Sequence, residues 1–238
     1  MALNFDKALP PTMDNLPQVA DYLFFCSEHP SSPGHHLSNW FNQGYVAGSY
    51  QGEDGQLYWC SEQELMVSKL RFCKNKELVD KQRQAIMDMQ PMDDPDWEVA
   101  WMHNHDLASK MKNACRSLDL QLDVVAWNEA KYNIMVSIIG SKYCSVKQPA
   151  MAELLRQTGT LVLVEAAHYD NQFGVGLQAG VHRPRCKADK ANKSILELDD
   201  TGHEVWRVPP GPEWGLNLLG LALMEVRSRM QEGCIDAK

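Results

Sequence analysis

Charged side chains with room to do chemistry sit at three places in this sequence. Glu62 and Lys69 belong to CSEQELMVSKLRF (60–72), Glu165 ends the apolar run TLVLVEA (160–166), and Asp170 lies in HYDNQFGVG (168–176). At 100° per residue, positions 62, 65, 69 and 72 share a helical face, so Glu62, Leu65, Lys69 and Phe72 point the same way. The carboxylate and the amine are then roughly 10 Å apart along the axis, too far to pair directly. A ligand or a third residue fits between them. In the plainer account, Glu62 complements the positive end of the helix and Lys69 lies in solvent with its stem on the core.

The elements that must position these groups can be read from the pattern. The chain has 238 residues, enough for one compact domain with its own core. Its 44% hydrophobic and 23% charged content suits a water-soluble globular protein, and no stretch is apolar enough to cross a bilayer. Residues 1–20 lack a basic start followed by an apolar run and read as a lead-in rather than a secretory signal, with 21–232 as the domain and 233–238 as a tail. Seven cysteines (Cys26, Cys60, Cys73, Cys115, Cys144, Cys186, Cys234) without a Cys-x-x-Cys spacing suggest reduced thiols, hence a cytoplasmic setting, or a nuclear one in a eukaryote. The net charge of -8 opposes non-specific adhesion to nucleic acid and confines any such contact to a patch.

YVAGSYQGEDGQLYW predicts a hairpin over 45–59. Ser61 with Glu64 three residues on predicts a reciprocal cap and a helix starting at Glu62. Further helices are predicted at 75–89, 106–118, 127–140, 148–157 (closed by Gly159) and about 216–230, and a buried strand at 160–166. The polar segment 183–212 reads as an insertion or long loop. The expected class is α+β, mostly helical, with a small hairpin and short strands. MHNHD (102–106) resembles a metal cluster, but a metal needs three or four supported ligands and nothing nearby completes a set. Asp106 is expected to cap the next helix.

Five blocks follow one another: LSNWF (37–41), SEQELMVSKLRF (61–72), the tryptophan of VVAWNEAKYNIM (Trp127), LLRQTGTLVLVEAAHYDNQFGVG (154–176) and WGLNLLGLALMEVR (214–227). In that order they resemble the NADAR family, named for NAD and ADP-ribose and also called YbiA-like, from about Phe24 to Met230. The resemblance implies a compact, largely helical α+β domain and an N-glycosidase. Two activities are associated with the family, removal of ADP-ribose from modified guanine bases in nucleic acid and hydrolysis of N-ribosyl pyrimidine intermediates of the riboflavin pathway. The chain keeps the motif residues Glu62, Lys69, Trp127, Glu165 and Asp170. It departs at Phe173, where the family usually has tryptophan before Gly-x-Gly, and in 183–212.

Breaking an N-glycosidic bond builds positive charge at the anomeric carbon and negative charge on the base, so a carboxylate and a proton donor both help. Glu62 and Asp170 can supply that pair. Lys69, on the strength of the resemblance, is the candidate for a neutral amine that attacks an opened ribose aldehyde. Trp127 stacks on a base, covers the sugar or fills the core. Glu165 binds a ribose hydroxyl or meets an arginine such as Arg227. Gly174 and Gly176 bring backbone amides to phosphates or mark a tight turn, with Phe173 beside them. Ser38 and Asn39 contact the ligand or form a turn, and in the last block Trp214 and Asn217 face substrate or Asn217 caps a helix. Arg183, Arg185 and Lys187, in HRPRCKADKANK (182–193), hold a pyrophosphate or a nucleic-acid backbone, or belong to a solvated loop.

The expected substrate is ADP-ribosylated guanine in DNA or RNA. The alternatives are the pyrimidine intermediate and a non-catalytic module binding ADP-ribose or NAD. No cofactor, metal or membrane partner is called for.

Overall fold

The computed structural model describes residues 22–25, 34–41, 49–94, 96–145, 149–167, 170–176, 196–198, 204–206 and 215–233, with backbone alone at Trp97, 196–198 and 204–206. In chain order the elements are β1 (Tyr22–Phe25), β2 (Tyr50–Gln51), β3 (Leu57–Tyr58), α1 (Ser61–Leu70), α2 (Lys76–Met87), α3 (Trp97–Ala114), α4 (Val124–Tyr143), α5 (Pro149–Gln157), β4 (Val162–Glu165), β5 (Leu196–Leu198), β6 (Glu204–Trp206) and α6 (Leu218–Gln231). The class is α+β and mostly helical. The described residues fall into two compact units, one within Asn39–Glu153 and one within Lys7–Ser38 and Leu154–Cys234.

In the first unit α1 packs against α2, α3 and α4, through buried Leu65, Met66, Val67 and Leu70. Burying each such side chain contributes about 1.5–3 kcal/mol. The chain enters α1 from the hairpin, where Tyr50 pairs with Tyr58 and Gln51 with Leu57. The hairpin's turn closes through Gly52 N donating to Gln56 O at 2.9 Å, and the part predicted before 49 lies outside the described residues.

Two capping expectations are corrected. The N-cap of α1 is Cys60, in extended backbone, and Ser61 is already helical with no side-chain cap. The start is held instead by other partners, since Glu62 N donates to Asn39 O at 3.1 Å and Gln63 Oε1 reaches back to accept from Trp59 N at 3.1 Å. Asp106 caps nothing. Helix α3 starts nine residues before it, where Asp96 accepts from Glu98 N at 3.0 Å, and Asp106 sits mid-helix paired with Lys110 at 2.5 Å. Asn75 and Asp123 cap α2 and α4 in the usual way.

The second unit is built on a four-stranded sheet of order β4-β1-β6-β5. Strand β1 runs parallel to β4, from Tyr22 opposite Val162 to Phe25 opposite Glu165, and antiparallel to β6. Strands β5 and β6 pair antiparallel, Leu196 opposite Trp206. Part of the segment expected to be an insertion or loop is therefore sheet, and β6 lies directly beside β1.

Helix α6 covers β4 at very close range. A Cβ on Gly220 would lie 2.1 Å from Leu163 O and 2.5 Å from the Asn217 carboxamide, so only glycine permits the approach. Arg227 is buried in the same helix. Its guanidinium donates to Thr158 O and Oγ1 and to Leu161 O, holding the turn into β4, and burial pushes it down to about 10.

Candidate active site

Helix α1 buries an unusual set of side chains. Ser61, Glu62, Gln63, Glu64 and Ser68 are each at most 6% exposed, and in this helix Lys69 alone is half-buried. Polar groups removed from water must be paired or must serve a purpose, because leaving them unpaired is costly. Gln63 has a structural task, accepting from Trp59 N and donating to Ile86 O at 3.0 Å. Glu62, the second residue of the helix, has its amide on Asn39 O. Two turns on, Lys69 Nζ stands 6.0 Å from the centre of the Trp127 ring, within reach of its π face.

Trp127 is buried at the head of α4 and also meets Phe72 edge to face at 5.6 Å. The predicted face of Glu62, Leu65, Lys69 and Phe72 is thus closed at its far end by an indole, which takes Lys69 out of the solvent-only account. Cys115, from α3, lies under this face with Sγ donating to Met66 O at 3.5 Å. Burial pushes its thiol up to about 12, while Lys69 pulls it down and Glu62 pushes it up, so the charges at both ends of the face act on one group.

The 39–41 segment anchors the start of α1. Asn39 is 5% exposed, its carbonyl takes the Glu62 amide, and its side-chain Oδ1 is buried with no hydrogen-bond partner among the described residues. Phe41 O accepts from Lys142 Nζ at 2.8 Å. Lys142 is buried in α4 beside the rings of Phe41 and Tyr143, and burial pushes its ammonium down to about 8 against the opposing pull of Cys60.

Sequence reasoning missed Lys142, and it missed Lys131, buried one turn after Trp127 with Nζ on Asn128 Oδ1 at 2.8 Å. Helical spacing could have found Lys131, since 127 and 131 share a face. Glu64, expected to complete the cap, instead faces the hairpin, where a Cβ on Gly52 would meet its Oε1 at 2.6 Å. Burial pushes the Glu64 carboxyl up to about 7, against the pull of the Tyr50 hydroxyl beside it.

Other predicted residues lie in the second unit. Ser38 ends a short 3-10 turn (His35–Leu37), its N donating to His35 O at 3.2 Å. Asp170 Oδ1 accepts from Gln172 N at 3.0 Å and Phe173 N at 2.9 Å, which makes 170–173 an Asx turn. Val175 N donates to Glu165 O and Gly176 N to Asp170 O, so the Gly176 amide closes the turn. Gly176 has φ +70°, and a Cβ on Gly174 would crowd Glu165 O at 2.8 Å.

The loop in turn caps α6, since Leu218 N and Leu219 N donate to Gln172 O and Phe173 O. Asn217 is the N-cap residue of α6 by position, but its side chain does not cap the helix. It is fully buried in left-handed backbone, and its carboxamide donates to Leu163 O at 2.9 Å and accepts from Glu165 N at 3.0 Å. The guanidinium of Arg227 goes to Thr158 and Leu161, not to Glu165.

The structure therefore brings Asn39, Glu62, Lys69 and Trp127 into one unit, and Ser38, Glu165, Asp170, Phe173, Gly174, Gly176 and Asn217 into the other. Trp214, Arg183, Arg185 and Lys187 lie outside the described residues. Among the described residues, no group of three His, Cys, Asp or Glu side chains is placed to hold a metal, and no helix is long and apolar enough to cross a membrane.

The NADAR domain family matches residues 24–231, across both units. Among solved structures, the NMR structure of the E. coli protein YbiA is similar, with a TM-score of 0.52 at 17% identity, over 92% of this chain and 95% of that one. That likeness is one of fold. No curated protein matches the chain.

Proposed function

Because the chain belongs to the NADAR family, whose domain supports a general glycosidase role, we propose that it hydrolyses the bond between ribose and a base nitrogen, removing ADP-ribose from ADP-ribosylated guanine in nucleic acid. The observation that carries the reading is the α1 face, with a buried carboxylate at its start and an amine two turns later beneath an indole. Hydrolysis adds a hydroxyl to the anomeric carbon and a proton to the departing base. Glu62, as a carboxylate, stabilises the positive charge that grows on the sugar or takes the proton of the attacking water.

The Lys69 amine attacks C1 of the ring-opened ribose while the base is still attached, the C1–N bond to the base breaks as the base leaves with a proton, and a Schiff base between Lys69 and C1 remains. Water then cleaves the Schiff base, returning the aldehyde and the free amine. Trp127 shields the amine from bulk water. The reacting pair is drawn from the first unit alone, and substitution of Asp170 tests whether a second carboxylate takes part.

Mass-spectrometric turnover on DNA carrying ADP-ribosylated guanine tests the reading. Wild type is expected to release ADP-ribose and Glu62→Gln to release almost none. Turnover confined to N-ribosyl pyrimidines would transfer the chemistry to the smaller substrate. Tight ADP-ribose binding without turnover on either substrate would leave a binding module.

A further inference from the structure

We propose that Asn39, Trp40, Trp101 and His105 form a subsite beside Glu62 for a purine base of the substrate. The proposal rests on the glycosidase reading and adds to it the groups that hold a base. Trp40 directly follows Asn39, whose carbonyl accepts the Glu62 amide at 3.1 Å, so its indole leaves the backbone next to the start of α1. On α3, Trp101 and His105 are four residues apart and share a face. The His105 ring lies 4.6 Å from that of Trp40 at 68° and 5.3 Å from that of Trp101 at 43°.

Both indoles are half-buried and His105 is exposed, and Met102 beside them is 63% exposed. A core aromatic would be covered. These present ring surface to water at the edge of the candidate site, where a flat ligand could cover it. The angles between the rings favour stacking of a base on one indole over insertion between two.

Asn39 supplies the independent sign of a ligand. Its side chain is buried, and Oδ1 has no partner among the described residues. A buried acceptor calls for a donor, and a purine brings one, the exocyclic amine of adenine or the N1–H and exocyclic amine of guanine. Trp127, on α4, is already engaged with Lys69 and Phe72, so it is not the stacking surface assigned here. The net charge of -8 makes phosphate attraction weak away from a basic patch, so stacking and one hydrogen bond would carry the base's affinity.

The test is calorimetric titration of the full chain with AMP, GMP and ribose 5-phosphate, in wild type, Trp101→Ala and the ring-preserving Trp101→Phe. Trp101→Ala should weaken AMP or GMP about tenfold, the size of one lost stacking contact. Trp101→Phe should weaken it less, ribose 5-phosphate should be unaffected, and the nucleotide affected identifies which end of the substrate occupies the subsite. Raising the salt should leave the difference between variants in place.

Unchanged affinity for both nucleotides, equal loss of ribose 5-phosphate, or wild type binding neither nucleotide would overturn the proposal. So would light scattering that shows a wild-type dimer lost in Trp101→Ala, which would make the patch a contact between copies. Turnover is scored separately. Base binding lost in Trp101→Ala while wild type turns over no ribosylated base would sink the glycosidase reading and keep the subsite.

Discussion

The start of α1 and the 170–176 loop both carry a carboxylate beside polar residues, and the two regions use them differently. In the loop, one oxygen of the Asp170 carboxylate goes to the backbone. Asp170 Oδ1 accepts two amides, the Gly176 amide returns to Asp170 O, and the adjoining Asn217 carboxamide is bonded at both ends to β4. Around α1, backbone and Gln63 do the holding, through Asn39 O, Trp59 N and Ile86 O. There the Lys69 amine faces an indole and Asn39 Oδ1 faces no described donor. Residue type alone does not separate a reacting carboxylate from a scaffold one. The proposed function gives the reacting part to Glu62 on α1, and substitution at Asp170 tests whether the loop shares it.

Substitutions can break that contrast. Glu62→Gln should lower turnover about 10²- to 10⁴-fold, the range for losing a positioned acid or base, in the mass-spectrometric assay. A loss under threefold would remove Glu62 from the chemistry.

The next effect is on stability. The folded Glu64 carboxyl titrates near 7, above the ordinary carboxylate value, so the folded state keeps a proton that the unfolded chain has released. Stability from this group is full below the unfolded pKa and is lost as pH rises toward about 7, by up to about 3 kcal/mol. Urea titrations across that window should show the decline in wild type and a flatter profile in Glu64→Gln. An equal slope in both would show that Glu64 is not its source.

Smaller still, Gly220→Ala should destabilise by about 1–3 kcal/mol by forcing α6 off β4, seen as a lower thermal midpoint. An unchanged midpoint would mean the helix yields without strain.

The least effect is expected at Asp170→Asn, because the asparagine oxygen still accepts from Gln172 N and Phe173 N. Turnover within about threefold of wild type fits a scaffold role, small beside the loss expected of a general acid. A collapse comparable to that of Glu62→Gln would restore Asp170 as the second reacting carboxylate.

Much of this was legible in the sequence. The 3.6-residue period placed Glu62 and Lys69 on a common face, and α2, α4, α5 and α6 begin within three residues of their predicted starts. What escaped has identifiable causes. The predicted start of α3 lies nine residues too late because Asp106 has the residue type of a cap, while the actual cap, Asp96, lies in the Pro-containing acidic run before it.

Strands β5 and β6 were hidden in a charged, Pro-containing segment, although Leu196, Leu198 and Val205, Trp206 flank a turn-forming Asp-Asp-Thr-Gly. Asn217 looks like a cap in the sequence, and only a partner strand far from it in the chain reveals its use. Lys142 reads as a helix-end cation, yet a carbonyl 101 residues earlier holds it inside.

The most direct test of the central claim is borohydride reduction in the presence of ADP-ribose, followed by peptide mapping. The account predicts one adduct, on Lys69 of the wild-type protein, and none on Lys69→Ala. Equal labelling of the two proteins, or an adduct only on another lysine such as Lys131 or Lys142, would contradict it.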